Sequence, residues 1–347
     1  MFSHVHFPQK LAPEDLDVYL AAGWFRMAQS IFTTNFLNFK GQFYSAIWLR
    51  VALEKFTADK NQQKLIKRNS AFRTEIQPAK VTLAQEALFA TYRASVSFEA
   101  ATSLNSLLYG KVFYAIYDTY EVNIYDGDRL IASGFFDLGR NGAAGITSFY
   151  DPEYRKYSLG RYLIYLKMAY CRQHGFEYFY PGYFVPGYAL FDYKLDMNRD
   201  LLQFLPVSTG QWAPIELFSP VVNPLLVMRQ KLEAIQEELQ LADIAMTLYQ
   251  YEFFDGNLIP ELSDIDLFDF PIFLKGVDPA LGELGPWIVY DVRDDQYHIF
   301  QCTIIGTPAM PAQTAGNYTD HLVKVDHDIA TAPNAEGIVP IIKAQRA

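Results

Sequence analysis

Apolar positions along this chain change period several times, and the changes mark out its elements. Between Tyr120 and Tyr125 apolar and polar side chains alternate. Asp126-Gly127-Asp128 then supplies turn residues and Leu130 to Asp137 returns, which predicts a β-hairpin. Gly145-Ile-Thr-Ser-Phe-Tyr150 predicts the next strand. From Leu159 to His174 the period becomes helical, with Leu163, Ile164, Leu166, Met168, Ala169 and Tyr170 giving a broad buried face that Gly175 ends. Tyr178-Phe-Tyr180 predicts a short strand before Pro181-Gly182. Hairpin, strand, helix, strand is a mixed α+β order.

Upstream, Pro13-Glu14-Asp15 opens a helical run in residues 13–30, and Phe43 to Val51 suggests a strand. Thr82-Leu-Ala-Gln-Glu86 resembles a capping box before an amphipathic helix carrying Leu88, Phe89 and Tyr92. Downstream, Pro224 to about Tyr251 predicts one long helix, and residues 260–270 are acidic and aromatic. Trp287 to Tyr290 and Tyr297 to Phe300 predict a further hairpin. After Pro308 the composition is loop-like, and weak order is expected near the end. No internal repeat is evident. Three domains are expected, over residues 1–95, 96–212 and 213–347.

Composition narrows the classes. The chain has 347 residues, 50% of them hydrophobic, so it can bury a large core. Two cysteines, Cys171 and Cys302, are too few for a disulfide framework or a thiolate metal site. No apolar run is long enough to span a membrane, and the first residues lack a signal-peptide pattern, so a cytoplasmic protein is expected. The net charge of −10 is unevenly spread. Residues 1–212 carry 22 Lys+Arg against 19 Asp+Glu, whereas residues 213–347 carry 7 against 20. The acidic total therefore does not exclude an RNA partner for the first two-thirds.

Candidate chemistry concentrates in Ser148-Phe-Tyr-Asp-Pro-Glu-Tyr-Arg-Lys-Tyr-Ser-Leu-Gly-Arg161, Glu177-Tyr-Phe-Tyr-Pro-Gly-Tyr183 and Phe191-Asp-Tyr-Lys194. Unpaired N–H groups at a helix start can hold an anionic or carbonyl-bearing donor, which suggests acyl transfer to an amine. Lys55, Lys60, Lys64, Lys67, Arg68 and Arg73 face only Asp59 in their stretch, a density that suits phosphate contacts or simply a wet helix face.

These residues resemble the arginyl/leucyl aminoacyl-tRNA–protein transferases of the N-degron pathway. The matching residues are Tyr150-Asp151-Pro152, Ser158-Leu159-Gly160, Tyr180-Pro-Gly182-Tyr183 and Tyr193-Lys194. Upstream they are Gly23-Trp24-Phe25-Arg26, Leu49-Arg50-Val51 and the Lys67-Arg68-Asn69 segment. The similarity runs in order over roughly residues 16–205. It implies a GNAT-like core, a mixed and largely antiparallel sheet flanked by helices, with an N-terminal α/β domain and an added C-terminal region. It also implies transfer of arginine or leucine from charged tRNA to protein N-termini beginning with Asp or Glu, marking them for degradation; no cofactor is expected, because the ester is already activated, and no metal.

Under that resemblance Asp151 and Tyr150 are the candidate catalytic residues, Asp151 as the group that orients the acceptor amine or takes its proton. Its alternative is a turn aspartate before proline. Arg155, Ser158, Leu159 and Gly160 would form the donor-binding loop, or an ordinary capped helix. Tyr180, Gly182, Tyr183, Tyr193 and Lys194 would hold the aminoacyl-tRNA end and the acceptor, the tyrosines by stacking on an unpaired base. Strand-edge packing and a solvated lysine are the alternatives. Lys64, Lys67, Arg68 and Asn69 would contact the tRNA backbone. One departure stands out. The region where relatives carry a cysteine cluster reads Phe32-Thr-Thr-Asn-Phe-Leu-Asn-Phe-Lys-Gly-Gln-Phe43, with no cysteine, so thiolate coordination there is excluded and Phe36, Phe39 and Phe43 are expected to fill the space. An acyl-CoA-dependent acyltransferase and a non-catalytic binding protein on the same fold are the competing readings.

Overall fold

The computed structural model describes residues 1–97, 101–276, 286–306 and 316–346. Ser3–His6 (β1), Phe25–Met27 (β2) and Ser30–Thr34 (β3) form a small antiparallel sheet. The helix expected from Pro13 covers Pro13–Ala21 (α1) and goes no further, because Gly23 takes a φ of +77° and redirects the chain into β2. Phe36–Phe39 (β4) and Gln42–Ser45 (β5) form the hairpin of the cysteine-free region, closed through Lys40 and Gly41, both at positive φ. The strand expected over Phe43–Val51 is broken at Ala46 into β5 and Ile47–Ala52 (β6).

Eight strands make the central sheet. They are β6, Arg73–Pro78 (β7), Thr119–Asp126 (β8), Arg129–Leu138 (β9), Gly142–Tyr150 (β10), Tyr178–Phe184 (β11), Leu202–Phe204 (β12) and Ala213–Pro214 (β13). Their spatial order is β13-β12-β6-β11-β10-β9-β8-β7, antiparallel throughout except for the parallel pair β10–β11. A parallel neighbour needs a crossover, and the helix after β10 supplies it. The helices of this region are Lys60–Asn69 (α2), Leu83–Ala94 (α3), Leu104–Tyr109 (α4) and the crossover Leu159–Gln173 (α5). Inward-pointing residues alternate along β9. Ala132 and Phe136 join Leu163 and Met168 of α5 in one core, while Phe135 joins Phe89 and Phe149 under α3 and α4 in another.

The expected buried face of α5 needs one correction. Ala169 is exposed, and Lys167 is buried among Leu163, Met168 and Cys171. The long C-terminal helix is also shorter than its pattern suggests. It spans Pro224–Leu241 (α6) and ends before Asp243, which takes a φ of +60°; Met246–Tyr251 (β14) follows as a strand. Ile272–Gly276 (β15), Trp287–Asp291 (β16), Gln296–Gly306 (β17), Asn317–Tyr318 (β18) and Leu322–Ala332 (β19) complete a six-stranded sheet with β14. The segment expected to be weakly ordered forms β19 and a terminal helix over Ala335–Arg346 (α7). Pairing with β17 and packing against α6 hold these two in place. Phe2, Phe36 and Phe43 from the N-terminal region are buried in this C-terminal core. No helix among the described residues is long and apolar enough to cross a membrane.

Candidate active site

The parallel pair β10–β11 opens into a fork. Its ladder holds only from Gly142–Ala144 against Tyr178–Tyr180. Beyond that point β10 carries a bulge between Gly145 and Thr147, and β11 shifts register between Phe179 and Gly182 against β6. Pro181 has no N–H to offer a ladder there, and Gly182 takes a φ of +81° that a side chain would resist. Between the parted strands lies a cavity of about 460 Å³, walled by Gly145–Ser148 of β10 and by Phe179 and Pro181–Tyr183 of β11.

The polar lining of this cavity is cationic. Lys167 enters from α5; its Nζ donates to Phe135 O at 3.0 Å, Thr147 O at 2.6 Å and Ser148 Oγ at 3.0 Å. Lys194 enters from the turn after β11; its Nζ donates to Tyr183 O at 2.6 Å and lies over the Tyr183 and Phe191 rings at 5.4 and 5.2 Å. Burial pushes each ammonium down to about 7. Arg26 of β2 also lines the cavity, and its guanidinium bonds Asp137 Oδ1 at 2.7 Å and Thr119 at 2.9 Å. Among the described residues that wall the cavity there is no carboxylate.

The fork is not isolated. Ile164 and Tyr193 also line two neighbouring cavities, of about 760 and 490 Å³. The larger is bounded by Tyr150, Arg155, Ser158, Gly160 and Arg161 at the start of α5. Ser158 is left-handed at a φ of +55° and caps no amide with its side chain, so the first amides of α5 are left to a ligand or to solvent. A Cβ on Gly160 would reach the Tyr150 ring at 3.4 Å, so this glycine brings the helix start close to that ring. The smaller cavity carries Lys64 and Arg68 of α2 together with Arg161 and Arg199, alongside Asp59 and Asp196. Arg68 also donates to Lys156 O at 3.3 Å, which ties the basic helix to the loop before α5.

Several anticipated residues meet here: Tyr150, Arg155, Ser158, Gly160, Gly182, Tyr183, Tyr193, Lys194, Lys64 and Arg68 all line the joined cavities. Others are placed elsewhere. Asp151 is buried outside the cavity walls. Its carboxylate caps Glu153 N at 3.0 Å and pairs with Arg129 at 2.5 Å, so the turn-aspartate alternative describes its contacts. Leu159 is fully buried in the core beneath the sheet. Tyr180 points to the opposite face, packed with Leu16, Leu20 and Trp212. Asn69 is buried and donates to Leu65 O and Tyr157 O, fastening α2 to the loop, while Lys67 is exposed beyond the cavity. Sequence reasoning did not single out Lys167, although its spacing of four from both Leu163 and Cys171 put it on the buried stripe.

A three-stranded antiparallel meander, a crossover helix and a parallel strand that peels away at a cation-lined fork define a GNAT-type acyltransferase core. Residues 84–203 match the family described as arginine-tRNA-protein transferase, C terminus. The chain is similar to the aspartate/glutamate leucyltransferase of Leptospira interrogans serogroup Icterohaemorrhagiae serovar copenhageni, at 26% identity over 62% of this chain and 79% of that one. It is similar at 27% identity to the aspartate/glutamate leucyltransferase of Vibrio cholerae serotype O1 (strain M66-2), over 55% of this chain and 81% of that one. A GCN5-related N-acetyltransferase from Anabaena variabilis aligns with a TM-score of 0.29 at 10% identity, covering 79% of this chain and 56% of that one. The match over residues 84–203 and the names of these relatives support the aminoacyl-tRNA–protein transferase family, an aminoacyltransferase class.

Proposed function

We propose that this chain moves leucine or arginine from charged tRNA to the α-amine of proteins beginning with Asp or Glu, marking them for degradation. The observation that carries the proposal is the fork itself: Arg26, Lys167 and Lys194 line one cavity whose wall, among the described residues, includes no carboxylate, Asp137 meeting Arg26 from off it. Basic groups around a cavity favour an incoming anion, and an acidic first side chain supplies one for Arg26 and Lys167. The relatives named aspartate/glutamate leucyltransferase act in their names on the same acidic residues.

The adjoining cavities suit the donor. Arg155, Arg161 and the start of α5 would face the terminal phosphate or ester carbonyl, with Lys64 and Arg68 along the tRNA backbone. Tyr193, which lines both cavities, and Tyr183 of the fork would offer faces on which an unpaired adenine can stack. An aminoacyl ester is already activated, so the site needs only to position the amine and stabilise the oxyanion.

Incubation with labelled leucyl- or arginyl-tRNA and peptides beginning with Asp, Glu or Leu tests the reading. The expected result is label on the acidic peptides from one of the two tRNAs. Folded protein that labels none, or that instead acylates an amine from acyl-CoA without tRNA, overturns it.

A further inference from the structure

We propose that Lys194 is the group that shuttles the proton during transfer, taking it from the acceptor's α-ammonium and returning it to the departing ribose oxygen. The step rests on the transferase reading above. Three features of the fork select Lys194 over its neighbours. Among the described residues Lys167 has three acceptors around its Nζ, whereas Lys194 makes one hydrogen bond, to Tyr183 O, and lines the cavity. Gly182 is bare beside it; a Cβ there would lie 3.3 Å from Nζ, so the glycine leaves room for a second amine. Asp151, the acid that the sequence offers for this task, is held by Arg129 outside the cavity walls.

The groups around Lys194 keep its proton mobile. Tyr183 of β11 and Phe191 contact its amine, and Lys167 of α5, Arg26 of β2 and Tyr193 share the cavity lining with it. Among the described residues lining the cavity none is a carboxylate that would fix an ammonium, and burial brings Lys194 to about 7. The proton ledger closes. Neutral Lys194 removes one proton from the acceptor's NH₃⁺, and the freed amine nitrogen forms a bond to the ester carbon. The tetrahedral intermediate collapses by breaking the bond to the ribose oxygen, which takes the proton from Lys194. The second proton lost by the nitrogen leaves to solvent, giving an amide and a free tRNA 3′ hydroxyl.

The experiment compares wild type, Lys194→Arg and Lys194→Ala for transfer to an Asp-initiated peptide at saturating charged tRNA, with and without added ethylamine. The arginine variant keeps the cation and the Tyr183 contact yet cannot release a proton. Both variants are expected to lose roughly a hundredfold in kcat with tRNA affinity unchanged. Ethylamine should restore peptide product in the alanine variant alone. An arginine variant near wild-type rate, or an alanine variant that no amine rescues, overturns the proposal. A second measurement is independent of turnover: trace labelling of wild-type Lys194 with an amine-reactive reagent, read by mass spectrometry. It should show a midpoint near 7, and a midpoint shared with surface lysines overturns the proposal. An inactive wild type sinks the transferase reading and this step with it, whereas an active arginine variant sinks this step alone.

Discussion

Replacing Lys167 with Met should flatten the rise of stability with pH. Lys167 goes from 10.5 to about 7 on folding because its amine leaves water at the fork. Between those values the unfolded chain holds the proton and the folded one does not. The unfolded state therefore binds more protons, and stability increases as pH rises, by at most ~1.4 kcal/mol per pH unit. The contribution is complete above the unfolded value and is lost as pH falls through about 7. Integrated between about pH 7.5 and 9, it comes to roughly 2 kcal/mol. Lys194 adds a parallel rise in both proteins and cancels in the comparison. Met fills a similar volume without a donor, so Phe135 O and Thr147 O lose their partner at a cost of roughly 1–3 kcal/mol each, nearly independent of pH. Urea unfolding followed by tryptophan fluorescence across that range separates the two effects, the constant offset and the slope. If wild type and Lys167→Met give parallel lines, Lys167 keeps its proton in the fold and the account of the fork as a site of displaced protons is wrong.

Three other outcomes follow from named contacts. Asp151→Asn should cost about 1 kcal/mol through the weakened cap and Arg129 pair, seen as a lower urea midpoint, while transfer stays within about threefold of wild type because the residue lies off the cavity walls. Gly182→Ala forces a φ of +81° on a side chain, at roughly 1–2 kcal/mol. It also crowds the Lys194 amine, so transfer should fall more steeply than thermal stability. Lys64→Gln and Arg68→Gln should each lower the slope of log affinity for charged tRNA against log salt by about one, and removing both by about two, with little change in folding.

Much of the central sheet was legible because its signals are local. Asp126-Gly127-Asp128 closes the β8–β9 hairpin as expected, Thr82 and Gln85 form the reciprocal cap of α3, and Gly175 at a φ of +83° follows α5. The errors lie where a distant partner decides. Met246–Tyr251 has the apolar content of a helix end, yet pairing with β15 draws it into a strand once Asp243 turns the chain. A lysine within an apolar stripe reads as an interruption, and only the fork reveals why Lys167 is inside. Arg26 finds Asp137 across 111 positions, a pairing that no local pattern carries. For Asp151 local spacing leaves both readings open, because whether an Asp-Pro carboxylate faces a cleft or caps its own turn depends on where Arg129 stands.

The β4–β5 hairpin reaches both ways. Phe36 and Phe43 sit in the C-terminal core against Phe254, while Phe39 stacks on Tyr188 at 4.7 Å and lies 6.3 Å from Phe191, whose ring flanks the Lys194 amine. The hairpin thus links the C-terminal core to the cavity that Lys194 lines. Damage to that core should therefore register first as sluggish turnover, before any visible melting.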